Sequence, residues 1–166
     1  MTRLKVVRTK LPNDRHYPVG DPDLTILALL SSPAIANRIT TITFKDNQRS
    51  TKEASVRWNG NALSIEINFC LDGLQSRLLA PKNKRYNSLI ERIGGLIDRE
   101  SKLVTWTKAT ATRYTYFLFA HELAHVRYVE ERSLDLSDFC SSAKEERWCD
   151  DFALKRVEQL VKTGVL

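Results

Sequence analysis

The sequence predicts an α+β fold in which a small, mostly antiparallel sheet packs on helices. Three observations predict it: residues 39–69 carry strand patterns around a hairpin signal, the second half of the chain carries long helical patterns, and the two kinds of pattern do not alternate. A chain of 166 residues has room for one domain with a core that needs no disulfide bonds. We therefore expect residues 1–166 to form a single domain, in which residues 71–110 are a candidate insertion.

The N-terminal region is expected to hold a strand and a helix. Residues 4–10 fit either a first strand or part of a loose arm over residues 1–20. Asp21-Pro22 predicts a helix start, because a carboxylate cap and a proline in the first turn both favour one. This helix should end just before Pro33, which cannot continue it.

The middle of the chain carries the strand signals. Residues 39–44 are rich in Thr and Ile, which is typical of a strand. Asn59-Gly60 separates two further strands at residues 55–58 and 62–69, and this dipeptide favours a tight hairpin turn. The last strand alternates, and its predicted buried face consists of Leu63, Ile65, Ile67 and Phe69.

The second half is predicted to be mainly helical. A helix is expected at residues 88–99, weakened by Gly94-Gly95 at roughly 1 kcal/mol per glycine. Residues 103–107 fit a short strand or an extended link, and residues 112–129 form a strongly apolar helix. Ser142 and Glu145 have the spacing of a capping box, which predicts a last helix ending near residue 162.

Composition constrains the environment and the partners. An odd number of cysteines, three, without a secretion signal fits a reducing compartment. The sequence contains no run of about 20 apolar residues, so no membrane span is predicted. We therefore expect a cytoplasmic protein. The net charge of +6 weakly favours an acidic partner, but the basic residues are dispersed and the densest patch, residues 82–85, fits a solvated loop. Specific nucleic-acid binding is not expected.

His121, Glu122 and His125 form an HExxH motif on the long predicted helix. Residues four apart lie about 5–6 Å apart on one helix face, so both imidazoles can reach one zinc ion at about 2.0–2.1 Å. Glu122 is then placed to act as general base and activate a zinc-bound water. The alternative is a core helix that carries these residues by chance. The apolar surroundings, and a total of only three histidines, favour the metal site.

A catalytic zinc ion usually takes three protein ligands, so a third must come from elsewhere. The last helix offers Glu145, Glu146, Asp150 and Asp151. Glu145 is accounted for by the capping box, so Glu146 is the predicted ligand. Asp150, one turn later, could accept a hydrogen bond from the outer nitrogen of a histidine ligand. The alternative for both residues is a solvated helix face.

The chain resembles the zincin metallopeptidases that use glutamate as third ligand, and within them most resembles the ImmA/IrrE group. The resemblance rests on residues 119–125, residues 146–153 and the strand at residues 65–68. It implies a zincin-like fold with the HExxH motif on a central helix, Zn²⁺ as cofactor, and hydrolysis of a protein substrate. That substrate is expected to be a transcriptional repressor or another regulator encoded nearby.

Two other functions stay open at this point. A protease of the SprT type, which acts on DNA-associated proteins, would fit the positive charge. Such proteins generally have a third histidine ligand after the HExxH motif, however, and no histidine follows His125. A regulatory binding module could keep the fold with little or no hydrolysis, although Glu122 is intact.

Several further residues have two interpretations. Tyr114 and Tyr128 are candidate oxyanion stabilisers, or half-buried packing residues. Cys140 and Cys149 could bind metal, or be a loop residue and a core residue respectively. The resemblance also implies that an extended substrate peptide pairs with an edge strand, for which residues 62–69 are the candidate. Residues 71–110 could then gate this groove or pack away from it.

Overall fold

The computed structural model describes residues 4–12, 14–46, 52–134 and 142–166. Within these ranges the helices are α1 Leu24–Leu30, α2 Pro33–Ala36, α3 Lys84–Ile93, α4 Lys108–Glu131 and α5 Ala143–Lys162. The strands are β1 Lys5–Arg8, β2 Arg15–His16, β3 Ile39–Phe44, β4 Ala54–Asn59, β5 Ala62–Ile67, β6 Leu71–Asp72, β7 Gln75–Arg77, β8 Leu96–Asp98 and β9 Leu103–Thr105. The predicted α+β class is confirmed. In the described part of the chain, no helix combines the length and apolar character needed to cross a membrane.

The strands form two sheets, where one was predicted. The first has the order β1-β3-β5-β4, with parallel pairing from β1 to β3 and from β3 to β5, and antiparallel pairing from β5 to β4. The second has the order β2-β6-β7-β9-β8 and is antiparallel throughout. Most pairings are therefore antiparallel, as predicted. Because β1 belongs to the first sheet, residues 5–8 are a strand and not a loose arm.

The hairpin of β4 and β5 forms as predicted, with one consequence for substrate binding. Asn59 pairs with Ala62, so the corner residues are Gly60, with φ +58°, and Asn61. β5 lies between β3 and β4, and both of its edges are paired. The prediction that residues 62–69 receive a peptide as an added strand is therefore wrong. Among the described strands, β4 is the outer strand at this end of the sheet.

The first helix begins two residues later than predicted. The Asp23 carboxylate, not that of Asp21, accepts a hydrogen bond from the Thr25 amide at 2.7 Å and caps α1. Pro33 does follow the end of α1, but it also begins α2, because its missing N–H is no loss at the first position of a helix. The Ser32 hydroxyl caps this short helix.

The helix predicted at residues 88–99 is displaced, and the two glycines explain why. α3 ends at Gly94, which has a left-handed φ of +106°. A Cβ at Gly94 would lie 2.7 Å from Cγ2 of Thr110, so the glycine is also required by a close approach to α4. Gly94 therefore ends the helix instead of weakening its middle. The residues beyond Gly95 form β8.

The helix that carries the HExxH motif packs on several elements. α4 contacts α5 most extensively, and also contacts β4, β5 and α1. Its buried positions include Phe119, whose ring meets that of Phe44 from β3 edge-on at 6.1 Å. Because α5 is the main partner of α4, side chains from the first turns of α5 lie against the histidines of α4.

Candidate metal centre

His121 and His125 occupy consecutive turns of α4 and converge on one point. Their ring centroids lie 4.8 Å apart, and the two Nε2 atoms are 3.1 Å apart. The side chains are 14% and 9% exposed. Continuous helical hydrogen bonding fixes this spacing locally, so the sequence could predict the pair without knowledge of the rest of the fold.

The Glu146 carboxylate completes a group of three donors. Its Oε2 lies 3.3 Å from Nε2 of His121, and its Oε1 lies 3.8 Å from Nε2 of His125. Tetrahedral ligands at about 2.0–2.1 Å from a zinc ion are separated by about 3.3 Å. The three side chains therefore have spacings close to those that one zinc ion requires. The Glu146 side chain is 45% exposed, which leaves this side of the group open to solvent.

Carboxylates from α5 also contact the outer nitrogens of both histidines. Asp150 Oδ1 lies 3.0 Å from Nδ1 of His121, so Asp150 faces the outer nitrogen of a histidine as predicted. The contact is an ion pair and not a well-aligned hydrogen bond. Glu145 Oε1 lies 2.6 Å from Nδ1 of His125. Such carboxylates hold a histidine in the tautomer whose Nε2 lone pair can bind a metal.

The contact of Glu145 with His125 was not predicted from the sequence. The Ser142 hydroxyl accepts a hydrogen bond from the Glu145 amide at 3.2 Å, so the predicted helix cap exists. The Glu145 side chain contacts His125 instead and does not complete the predicted capping box. One signal could have revealed this. Glu145 continues the buried stripe of Cys149 and Ala153 by one turn, and a carboxylate at a buried position needs a partner.

The site concentrates negative charge around the histidines. Burial alone would lower the pKa of His121, but the carboxylates of Asp150 and Glu146 raise it to about 10. Glu122 is 7% exposed, and burial raises the pKa of its carboxyl group while the two histidines oppose this. The arrangement favours a bound cation, because a cation between the histidines and Glu146 would neutralise part of this charge.

A second group of donors overlaps the first. Cys149 Sγ lies 3.5 Å from Nδ1 of His125, and with Glu145 these side chains could also hold an ion. All three residues of this second group are buried, whereas Glu146 in the first group is 45% exposed and leaves room for a further ligand. Cys149 is fully buried, as expected of a core residue, and Cys140 lies outside the described residues. The group formed by His121, His125 and Glu146 therefore fits a metal ion better.

The candidate tyrosines make packing contacts. The Tyr114 hydroxyl donates to Glu53 Oε2 at 2.5 Å, and its ring stacks on Trp106. The Tyr128 ring meets Trp148 edge-on at 5.3 Å, and the Arg132 guanidinium lies over its face. Their role in stabilising an oxyanion stays a prediction. The third histidine of the chain, His16, lies on β2 and not in either donor group.

Comparisons with known proteins assign neither a family nor a fold to the chain. No protein family matches the sequence, and no curated protein or solved structure matches it. A function must therefore be inferred from the site itself.

Proposed function

We propose that this protein is a zinc-dependent metallopeptidase, with His121, His125 and Glu146 as zinc ligands and Glu122 as general base. One observation carries the proposal: the Nε2 atoms of both histidines and the Glu146 carboxylate lie 3.1–3.8 Å from one another. The resemblance of these residues to the glutamate zincins, and to the ImmA/IrrE group within them, supports the same assignment.

The donor set supports zinc and a catalytic site. Two imidazole nitrogens and one carboxylate oxygen are typical of zinc centres that keep a fourth position open, whereas structural zinc sites are usually closed by four protein ligands. The partial exposure of Glu146 provides a route to that fourth position. The carboxylates of Asp150 and Glu145 would orient the two histidines for coordination.

The reaction requires a metal, a base and a route for a proton. Zinc bound here would polarise a peptide carbonyl and lower the pKa of a nearby water molecule. Glu122 accepts a proton from that water and then delivers it to the departing amine. Its buried position suits this role, because a carboxyl group with a raised pKa accepts and returns a proton more readily near neutral pH.

A protein substrate would bind as an extended strand on β4. In the zincins that the chain resembles, backbone hydrogen bonds to an edge strand supply affinity, and among the described strands β4 is the outer one at this end of the sheet. β4 packs against α4, the helix that carries the candidate base Glu122. A transcriptional repressor or another regulator encoded nearby is the proposed substrate.

Hydrolysis of unstructured casein by the zinc-loaded protein tests the proposal. We expect weak cleavage that a chelator abolishes, and Glu122→Gln should reduce its rate at least 100-fold, in line with the usual contribution of a general base. Glu131→Gln, at the exposed end of α4, is the matched control. Equal rates for Glu122→Gln and the unaltered protein would contradict the role of Glu122. A zinc-loaded protein that cleaves neither casein nor a peptide library would favour a binding module.

A further inference from the structure

Asp150 connects the candidate metal centre to a distant part of the chain. Its Oδ1 faces Nδ1 of His121 at 3.0 Å, while its Oδ2 accepts a hydrogen bond from Nε of Arg85 at 2.9 Å. Arg85 lies in the first turn of α3, 65 residues earlier in the sequence. The carboxylate therefore bridges an arginine and a histidine, with one oxygen for each.

Arg85 is held by more than this one contact. Its Nη2 donates to the backbone carbonyl of Arg147 at 3.0 Å and to Oδ1 of Asp151 at 3.2 Å. A planar guanidinium with several donors can engage these acceptors at once, which a lysine ammonium on a flexible stem cannot do with the same geometry. Arg85 therefore makes hydrogen bonds to three residues of the turn of α5 that carries Asp150.

The two histidines are supported in different ways. The carboxylate that contacts His125 belongs to Glu145, whose side chain is 3% exposed and enclosed between α4 and α5. The Asp150 side chain is 14% exposed, and a charged partner from α3 contacts its second oxygen. A side chain from α3 therefore takes part in the support of His121, whereas the carboxylate that contacts His125 comes from α5 itself.

We infer that Arg85 is a positioning residue for the metal centre: it holds the Asp150 carboxylate in the orientation that supports His121. The inference rests on the proposed function, because it requires that His121 bind a metal. Without Arg85, the Asp150 carboxylate can rotate away from Nδ1 of His121. The histidine then loses the negative charge that favours a proton on Nδ1 and leaves Nε2 for the metal. Arg85 acts through Asp150 and is not itself one of the proposed metal ligands.

Zinc affinity, measured by competition with a chromophoric chelator, tests the inference without any measurement of hydrolysis. Loss of a residue that supports a metal ligand typically weakens metal binding about 10–100-fold, which is the expectation for Asp150→Asn. Arg85→Gln acts one step further out and should weaken zinc binding about 3–10-fold, with Arg85→Lys in between. In the Asp150→Asn background, Arg85→Gln should change the affinity less than about twofold, since the two residues act as one unit.

The chain contains a matched control for a merely structural role. Arg92 also lies on α3 and also pairs with α5, through Glu158 at 2.8 Å, two turns away from Arg85. Arg92→Gln should leave zinc affinity unchanged. Urea unfolding of the metal-free variants identifies any that do not fold.

Three results would overturn the inference while leaving the proposed metal centre intact. Folded Arg85→Gln could bind zinc as tightly as the unaltered protein, its effect could persist in full with Asp150→Asn, or Arg92→Gln could weaken zinc binding equally. If His121→Ala also binds zinc as tightly as the unaltered protein, the proposed metal centre is wrong and this inference is overturned with it.

Discussion

Glu145→Gln preserves the size of a buried side chain and removes its charge, which isolates the electrostatic support of His125. The Glu145 carboxylate lies 2.6 Å from Nδ1 of His125, and the residue is 2% exposed. A hydrogen bond to a charged group contributes about 1.5–3 kcal/mol, against about 0.5–1.5 kcal/mol for a neutral one. A zinc-bound imidazole is the stronger Nδ1 donor, so most of this difference of about 1–1.5 kcal/mol should appear in the zinc affinity, as binding weakened about tenfold. The glutamine oxygen still accepts from Nδ1, so binding should be weakened and not abolished.

Chelator competition measures this change, and Glu158→Gln serves as the control, because Glu158 lies on α5 but pairs with Arg92 and not with a histidine. Unchanged zinc affinity in Glu145→Gln would refute the supporting role of Glu145. Complete loss of zinc in Glu145→Gln, with zinc retained in Glu146→Gln, would show that Glu145 binds the metal directly. The ligands would then be the overlapping group that includes His125 and Cys149.

Two further predictions concern stability. Gly94→Ala should lower the free energy of unfolding, measured in urea, by about 1–2 kcal/mol more than the control Gly20→Ala. Of the two glycines, only Gly94 combines a positive φ with a close neighbour, and equal effects of the two substitutions would contradict this reasoning. Burial raises the pKa of Glu53 from 4.5 to about 7, so the folded state holds this proton more tightly than the unfolded state. The stabilising contribution of Glu53 should therefore fall as pH rises from about 4.5 to 7, and Glu53→Gln should remove that fall; parallel pH profiles of unfolding for the two proteins would refute it.

The parts of the fold that local signals determine were predictable from sequence. α5 begins and ends where the Ser142 cap and the apolar periodicity indicate, and α4 contains the whole predicted helix. The spacing of His121 and His125 is a property of any helix. Even the contact of Asp150 with His121 follows from helix periodicity once Glu146 is assumed to face the motif.

The parts that depend on contacts between distant residues were not predictable. Gly94-Gly95 fits a weak helix as well as a helix end, and the close approach of Thr110 that excludes a side chain at Gly94 exists only in the folded chain. The sequence of β5 is compatible with an edge strand, and only the parallel pairing with β3 in the folded chain places β5 inside the sheet. The link from Arg85 to Asp150 joins residues 65 positions apart, and no sequence pattern predicted it.

Zinc content of the purified protein tests the central claim most directly. Elemental analysis after dialysis against zinc should find one zinc ion per chain, and His121→Ala, His125→Ala and Glu146→Ala should each lose most of it. Glu122→Gln should retain it, because Glu122 is assigned to proton transfer and not to coordination. Full zinc content in Glu146→Ala, together with loss of zinc in Glu145→Ala, would contradict the proposed ligand set.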